Sequence, residues 1–217
     1  MLREDAREWD AVSASLGVAR GQLRLVKQVH GAHVAVARDG EIAGATRPEA
    51  DAIVTGDPAV AIGVRVADCA PVLLVDPVRG AAAAAHAGWR GTAAGVVAAT
   101  VEALHREFGS APPDLLAAIG PCLGACCGEV GPDVLDAFRA GAARDADIRA
   151  WFTPGRGDRS FLDLERANRD QLERAGLDPR RIFTSGLCTK THRDRLHSYR
   201  AHGSGAGRLL AAIRVPN

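Results

Sequence analysis

The sequence predicts a single α+β domain built on mixed β-sheet. Three observations predict it. Short β-branched, apolar runs recur from residue 23 to the C-terminus, the pattern of buried or half-buried strands. Stretches of helical length and periodicity interrupt them, at 3–17, 92–109, from 132 and at 163–175. No internal repeat or low-complexity linker divides the 217 residues, a length that suits one domain or at most two small ones.

In chain order, residues 3–17 predict a helix with Ala6, Trp9, Val12 and Leu16 on one face. LRLVKQVHGAHVAVA, residues 23–37, predicts two strands joined by a turn at Gly31, with His30 at a strand end. The polar, Gly- and Pro-containing segment 39–50 reads as a loop. Strands are expected at DAIVT, AIGVRV and PVLLVDP. AAAAAHAG fits a helix by its alanines and a buried strand by its shortness. TAAGVVAATVEALHREFG predicts a helix with Thr92 as N-cap and Gly109 at its C-terminal stop. DLLAAIGP predicts a strand leading into the loop PCLGACCGEVG, and a helix begins near Pro132. Asp163 to Ala175 predicts another helix, ended by Gly176. RIFTSG, RLHSYR and RLLAAIRV are expected as closing strands.

The chain is 47% hydrophobic and 24% charged, as for a globular protein with a substantial core. Lys and Arg number 27 against 26 Asp and Glu, which gives no electrostatic reason to expect nucleic acid or a membrane surface as partner. The basic run from Arg180 to Arg200 reads as a solvated face. The charged start MLREDAREWD is unlike a signal peptide or membrane anchor, and no apolar stretch is long enough to span a bilayer, so a cytoplasmic location is expected. Five cysteines, an odd number, argue against a disulfide framework.

Three side chains stand out by context: His30 in KQVHG, Cys69 in VADCAPV and His86 in AHAGWRG. Strand ends and the turns before helices are where a scaffold displays reactive groups. Imidazole and thiolate suit zinc or copper. Spacing alone favours satisfied core residues over ligands at each position. In GWRGT, Arg90 at a helix N-terminus fits either an anion site for phosphate or carboxylate or a pair with a nearby Asp that fixes the turn. PCLGACCGEV lacks the P-C-x-x-C spacing of zinc deaminases, and no H-x-E accompanies it. Dinucleotide, Walker A, nucleophile-elbow and H-E-x-x-H signatures are absent from the sequence.

KQVHG, DAIVTG, ADCAPVLLVD, HAGWRGT, IGPCLGACCGEVG, the FLDL…AN…QL…AGL segment and SYR occur in the order found in one bacterial family. From about Gln22 to the C-terminus the chain resembles the polyphenol oxidoreductase or laccase-domain family, also described as purine nucleoside phosphorylases and as a peptidoglycan editing factor. The resemblance implies an α/β/β/α layered fold with mixed sheets, similar to a toxin-like Cys–His hydrolase. It implies a metal, Zn2+ with Cu2+ as the alternative, held by His30, Cys69 and His86. It implies phosphorolysis of adenosine, inosine and methylthioadenosine, with adenosine deamination besides. The editing-factor description implies instead removal of L-Ser from a UDP-muramyl precursor. Residues 1–217 are expected to be one such domain without the family's usual N-terminal stretch. Gly128 stands where an aromatic residue is common, and Ala201 where a second Arg often follows Ser-Tyr-Arg.

Within that expectation Cys69, His86 and Asp68 are the candidate catalytic residues, with Asp68 orienting a ligand or acting as base. Gln28, Arg90 and Arg200 are candidate contacts to a small-molecule substrate. Three protein ligands leave one position open on the metal, as in catalytic zinc sites. Three rivals stand beside it. Copper-linked phenol oxidation lacks an axial Met, since Met1 is the sole methionine. A metal-free Cys69 nucleophile activated by His86, with His30 assisting, suits amide hydrolysis. The third is a metal-binding module without catalysis.

Overall fold

The structure, a computed structural model, describes residues 6–38, 47–141 and 143–215. Its centre is a six-stranded mixed sheet built from β2 (Val34–Val36), β3 (Ala52–Thr55), β5 (Ala70–Asp76), β6 (Ala81–Ala87), β7 (Leu116–Ile119) and β11 (Ile182–Thr184). The spatial order is β11-β7-β5-β6-β3-β2. The inner pairs β7–β5, β5–β6 and β6–β3 are antiparallel, and the outer pairs β11–β7 and β3–β2 are parallel. A three-stranded sheet joins β1 (Leu23–Leu25) in parallel and β12 (Leu209–Arg214) antiparallel to β4 (Ala61–Val66). A smaller one orders β8 (Glu129–Val130), β10 (Ser160–Leu162) and β9 (Phe152–Pro154).

AAAAAHA resolves as β6, and its seven residues are all buried. The two-residue period explains why. Ala81, Ala83, Ala85 and Ala87 face a core shared with Val96, Val97, Val101 and Leu104 of the helix Val96–Phe108. Ala82 and Ala84 face the other way, into a core with Ile62 and Val64 of β4. A strand covered on both faces is apolar throughout. Helices therefore cover one face of the central sheet, and the β1–β4–β12 sheet covers the other. The helix α1 (Ala6–Ser15) is tied to β12 by Arg214, whose Nη1 donates to the carbonyls of Leu16 and Gly17 at 3.2 and 3.0 Å. The α+β class with several mixed sheets is as expected, and no barrel forms among the described residues.

Other expectations change. The strands around Gly31 are not a hairpin: β1 joins β4 in one sheet and β2 joins β3 in another, and His30 lies in the loop between them with φ 64°. TAAGVV does not start one long helix. α2 (Trp89–Ala93) and α3 (Val96–Phe108) are separated at Gly95, whose φ of 81° glycine adopts without steric cost. The residue capping α2 is Gly88 rather than Thr92, which is buried inside α2. Gly109 ends α3 in the left-handed conformation, as expected. α4 (Pro132–Ala140) follows, then α5 (Asp145–Trp151) with β9 and β10, where no element was expected. These pieces are short, and α5 is charged, so they carry little periodicity. α6 (Leu164–Arg174) begins at Asp163, which accepts from the Arg166 N–H at 3.0 Å. RLHSYR is not a strand: Ser198 caps a short helix, α7 (Tyr199–His202). Residues 3–5 and 39–46 of the expected helix and loop lie outside the described residues.

Candidate metal centre

Sheet register assembles the site. β5 and β6 are antiparallel with Ala70 opposite Ala87, so Cys69 and Gly88 are neighbours at the sheet's end. A Cβ on Gly88 would lie 2.8 Å from Cys69 Sγ, so any side chain there would displace the thiol. β3 and β6 pair Ala52 with Ala85, which sets Asp51 beside His86; the His86 N–H donates to the Asp51 carbonyl at 2.7 Å. His86 continues the column of Ala82 and Ala84 and is buried.

The ligating atoms of His30, Cys69 and His86 all lie within 4.8 Å of one another. The two imidazoles meet edge to face at 4.8 Å between centroids. His86 Nδ1 hydrogen-bonds Asp51 Oδ1 at 2.8 Å, which leaves Nε2 for the cluster. Asp51, fully buried, also accepts from the backbone N–H groups of Val29, His30 and Gly31 at 3.2, 2.9 and 2.6 Å. One carboxylate thus fixes one imidazole directly and holds the loop that carries the other.

The electrostatics follow from this packing. Burial opposes ionisation of Cys69, but hydrogen bonds and charge from His30 and His86 outweigh it and bring the thiol down to about 7. Burial likewise disfavours the His86 cation, yet the Asp51 and Cys69 partners raise it to about 9. Two imidazoles and a readily ionised thiol, with one imidazole oriented by a carboxylate, are a donor set that fits a divalent transition metal.

The cluster opens into a cleft of about 1660 Å³. Arg90 lines it, with its guanidinium 4.0 Å over the Trp89 ring. α6 holds α2, and with it Trp89 and Arg90, in place. Asn168 Nδ2 donates to Thr92 Oγ1 at 3.1 Å, and Gln171 Nε2 donates to the Thr92 carbonyl at 2.9 Å. Arg200 also lines the cleft; its Nη1 donates to the carbonyls of Cys127 and Glu129 at 3.2 and 2.9 Å.

Two expected roles take different form. Gln28 lines the cleft, but its amide grips the backbone of Arg65, donating to the carbonyl at 2.7 Å and accepting from the N–H at 2.9 Å. It thereby fastens the loop to β4. Asp68, with φ 86°, does not touch His86. Its carboxylate accepts from Thr189 Oγ1 at 2.6 Å and from the Arg200 N–H at 2.5 Å. The carboxylate that orients His86 is Asp51, which sequence reasoning missed. Its signal was an acid at the mouth of the apolar run AIVT, where burial demands partners. At Gly128 a Cβ would meet the Leu162 carbonyl at 2.7 Å, so an aromatic residue would require the backbone to move.

Fold and site together define a layered α+β protein whose sheet end displays a His₂Cys cluster in a cation-lined cleft. Residues 5–216 match the family described as multi-copper polyphenol oxidoreductase laccase. The chain belongs to that family. It is 38% identical over 208 residues to a protein named purine nucleoside phosphorylase from Deinococcus radiodurans, covering 94% of this chain and 75% of that one. It is 35% identical over 208 residues to adenosine deaminase RL5 from an unknown prokaryotic organism, covering 93% and 78%. Among solved structures, hypothetical protein YfiH of Bacillus licheniformis superposes with a TM-score of 0.90 at 30% identity, covering 96% of this chain and 80% of that one. Among the described residues, no helix is long and apolar enough to cross a membrane.

Proposed function

We propose that residues 1–217 act as one cytoplasmic domain, a zinc-dependent purine nucleoside phosphorylase. It cleaves adenosine, inosine and methylthioadenosine with phosphate and deaminates adenosine besides. The observation that carries this reading is that His30, Cys69 and His86 share one cleft with Arg90 and Arg200. The names of the two relatives support it along most of the chain.

Phosphorolysis forms a bond from a phosphate oxygen to the ribose anomeric carbon as the glycosidic bond breaks. The purine leaves with the electron pair and takes up a proton. Arg90, stacked on Trp89, and Arg200, anchored by Asp68, bind and orient the phosphate. Leu123, Val130, Leu162 and Leu164 give the cleft an apolar wall that suits a purine and excludes water. Zinc held by His30, Cys69 and His86 would supply Lewis-acid polarisation.

The test incubates purified protein with adenosine, with and without phosphate, before and after chelation. Adenine and ribose 1-phosphate form only with phosphate and disappear on chelation; inosine forms without phosphate. Adenosine left untouched by zinc-loaded protein sinks the reading.

One observation favours a second reading: His86 lies between the Asp51 carboxylate and the Cys69 thiol. That is the order of orienting acid, base and nucleophile in thiol hydrolases. It suits amide hydrolysis of a UDP-muramyl precursor carrying L-Ser. Activity that survives chelation but not thiol alkylation would select it.

A further inference from the structure

A second group of thiols gathers away from the His30–Cys69–His86 cluster. Cys126 and Cys127 lie in the turn after Gly124, and Cys188 lies in the loop after β11. Their sulfur atoms are all within 4.8 Å of one another, with Cys126 and Cys127 3.7 Å apart. Backbone pairing clamps the two loops: the Cys122 N–H donates to the Leu187 carbonyl at 3.3 Å, and the Thr189 N–H donates to the Cys122 carbonyl at 2.9 Å. The N–H groups of Gly124, Lys190 and Thr191 face the Cys188 sulfur. A Cβ on Gly124 would sit 3.1 Å from Cys188 Cβ and 3.6 Å from the sulfurs of Cys126 and Cys188, so the glycine lets the loops close around the thiols. Cys188 is buried and Cys126 exposed, which gives the group an anchored side and an entry path.

We propose that Cys126, Cys127 and Cys188 form a second cation site, for a soft, thiophilic ion of the monovalent copper class. No imidazole or carboxylate joins the three sulfurs among the described residues. Sulfur-only, three-donor surroundings suit a soft ion, whereas structural zinc takes four ligands. Binding forms three metal–sulfur bonds and releases the thiol protons to solvent. The ion would lock the loop at 122–128 to the loop at 187–192. Those loops hold both ends of the Asp68–Arg200 connection, through Thr189 Oγ1 on Asp68 and the Cys127 carbonyl on Arg200 Nη1. The second site thereby stiffens the wall of the cleft without touching its His₂Cys cluster.

The test titrates fully reduced protein with Cu(I) under argon, against a chromogenic Cu(I) chelator of known affinity. Cys69→Ser, which breaks the first cluster, retains a binding step that competes with the chelator. Adding Cys126→Ser or Cys127→Ser weakens that step by more than about 100-fold, the upper end of the loss that follows removal of a mere supporting partner of a metal ligand. X-ray absorption of copper-loaded Cys69→Ser shows sulfur neighbours alone. The proposal is overturned if Cys69→Ser takes no copper from the chelator, if both double variants bind as tightly as their parent, or if nitrogen appears around the copper. Exposed Cys126 and half-buried Cys127 leave the core intact when substituted, and a circular-dichroism melt of each variant checks this.

Discussion

The Asp51 carboxylate accepts four hydrogen bonds, three from consecutive backbone N–H groups and one from His86 Nδ1. The backbone bonds hold the loop with His30 at φ 64°, a conformation uncommon for a residue with a Cβ. Asn at 51 keeps the shape but loses the charge and part of the acceptor capacity. Asp51→Asn is therefore expected to lower zinc affinity about 10–100-fold, the range for partners that orient a metal-bound histidine. Asp51→Ala also orphans three N–H groups and costs thermal stability as well. Chelator competition and melting curves on both variants check this; unchanged zinc affinity in both would remove Asp51 from the centre. His30, Cys69 and His86 stood out in the sequence by their context at strand ends and before a helix, but spacing alone favoured core residues, and it was the family resemblance that implied a shared ligand set; the structure brings their ligating atoms together. Asp51 did not stand out, because its partners lie on β6 and in the His30 loop, and only the register of β3 against β6 brings them together. Asp68 stands beside Cys69 in the chain and also lines the cleft, and the structure adds what the sequence did not show: at positive φ its carboxylate is held by Thr189 Oγ1 and the Arg200 N–H.

Elements with strong local periodicity came through from sequence with nearly their observed bounds, as with β4 and α6. Those set by packing did not. β6 reads as helix or strand by composition, and its place between two cores decides the matter. The α2–α3 break rests on one glycine inside an alanine-rich run. α5 was missed because it is short and charged, and part of what holds it lies far away in sequence. Asp147, nearly buried, accepts from the Arg144 N–H at 2.8 Å and from Arg174 Nη1 of α6 at 2.6 Å, while Arg174 lies over the Trp151 ring. Burial raises the Asp147 pKa, but the bonds from Arg144 and the charge of Arg174 outweigh it, so the folded value lies below the ordinary one. The sign follows: a carboxylate depressed in the folded state stabilises it above its unfolded pKa, about 3.9, and the contribution fades as pH falls through the folded value. Asp147→Asn should cost about 2 kcal/mol at neutral pH, the scale for a buried charged hydrogen bond. Urea unfolding of both proteins at pH 7 and pH 3 should show that gap narrowing at the lower pH. A gap that stays constant or widens would mean that α5 and α6 are not joined through this charge.

Across the whole molecule, charge is nearly balanced, with 27 basic and 26 acidic residues, yet the cleft is not. Among the described residues its lining includes Lys27, Arg47, Arg65, Arg90, Arg200 and Arg208, with Glu49 and Asp68 as carboxylates. Glu49 and Lys27 pair at 2.7 Å and offset each other, and the Asp68 carboxylate is held by Thr189 Oγ1 and the Arg200 N–H, so the lining keeps a positive excess. A concave wall with an excess of positive charge focuses its field on the opening and raises the local concentration of an anion. Phosphate is the anionic substrate in the proposed reaction, and the nucleoside is neutral. Salt should therefore act on one substrate and not on the other. Raising ionic strength shortens the screening length from about 30 Å at 0.01 M to about 10 Å at 0.1 M, so kcat/KM for phosphate should fall with a nonbinding salt while kcat and the KM for adenosine hold steady. Arg90→Ala and Arg200→Ala should each raise the KM for phosphate about tenfold or more, as the loss of a charge-assisted bond predicts, and each should flatten the salt dependence. Steady-state kinetics varying phosphate and salt together, on the parent and both variants, measure this. If phosphate and adenosine respond to salt alike, the cationic lining does not serve phosphate capture. Its charge would then suit a larger anionic substrate, such as a nucleotide-linked precursor, and the Cys69–His86–Asp51 hydrolase reading would gain the ground that the phosphorylase reading lost.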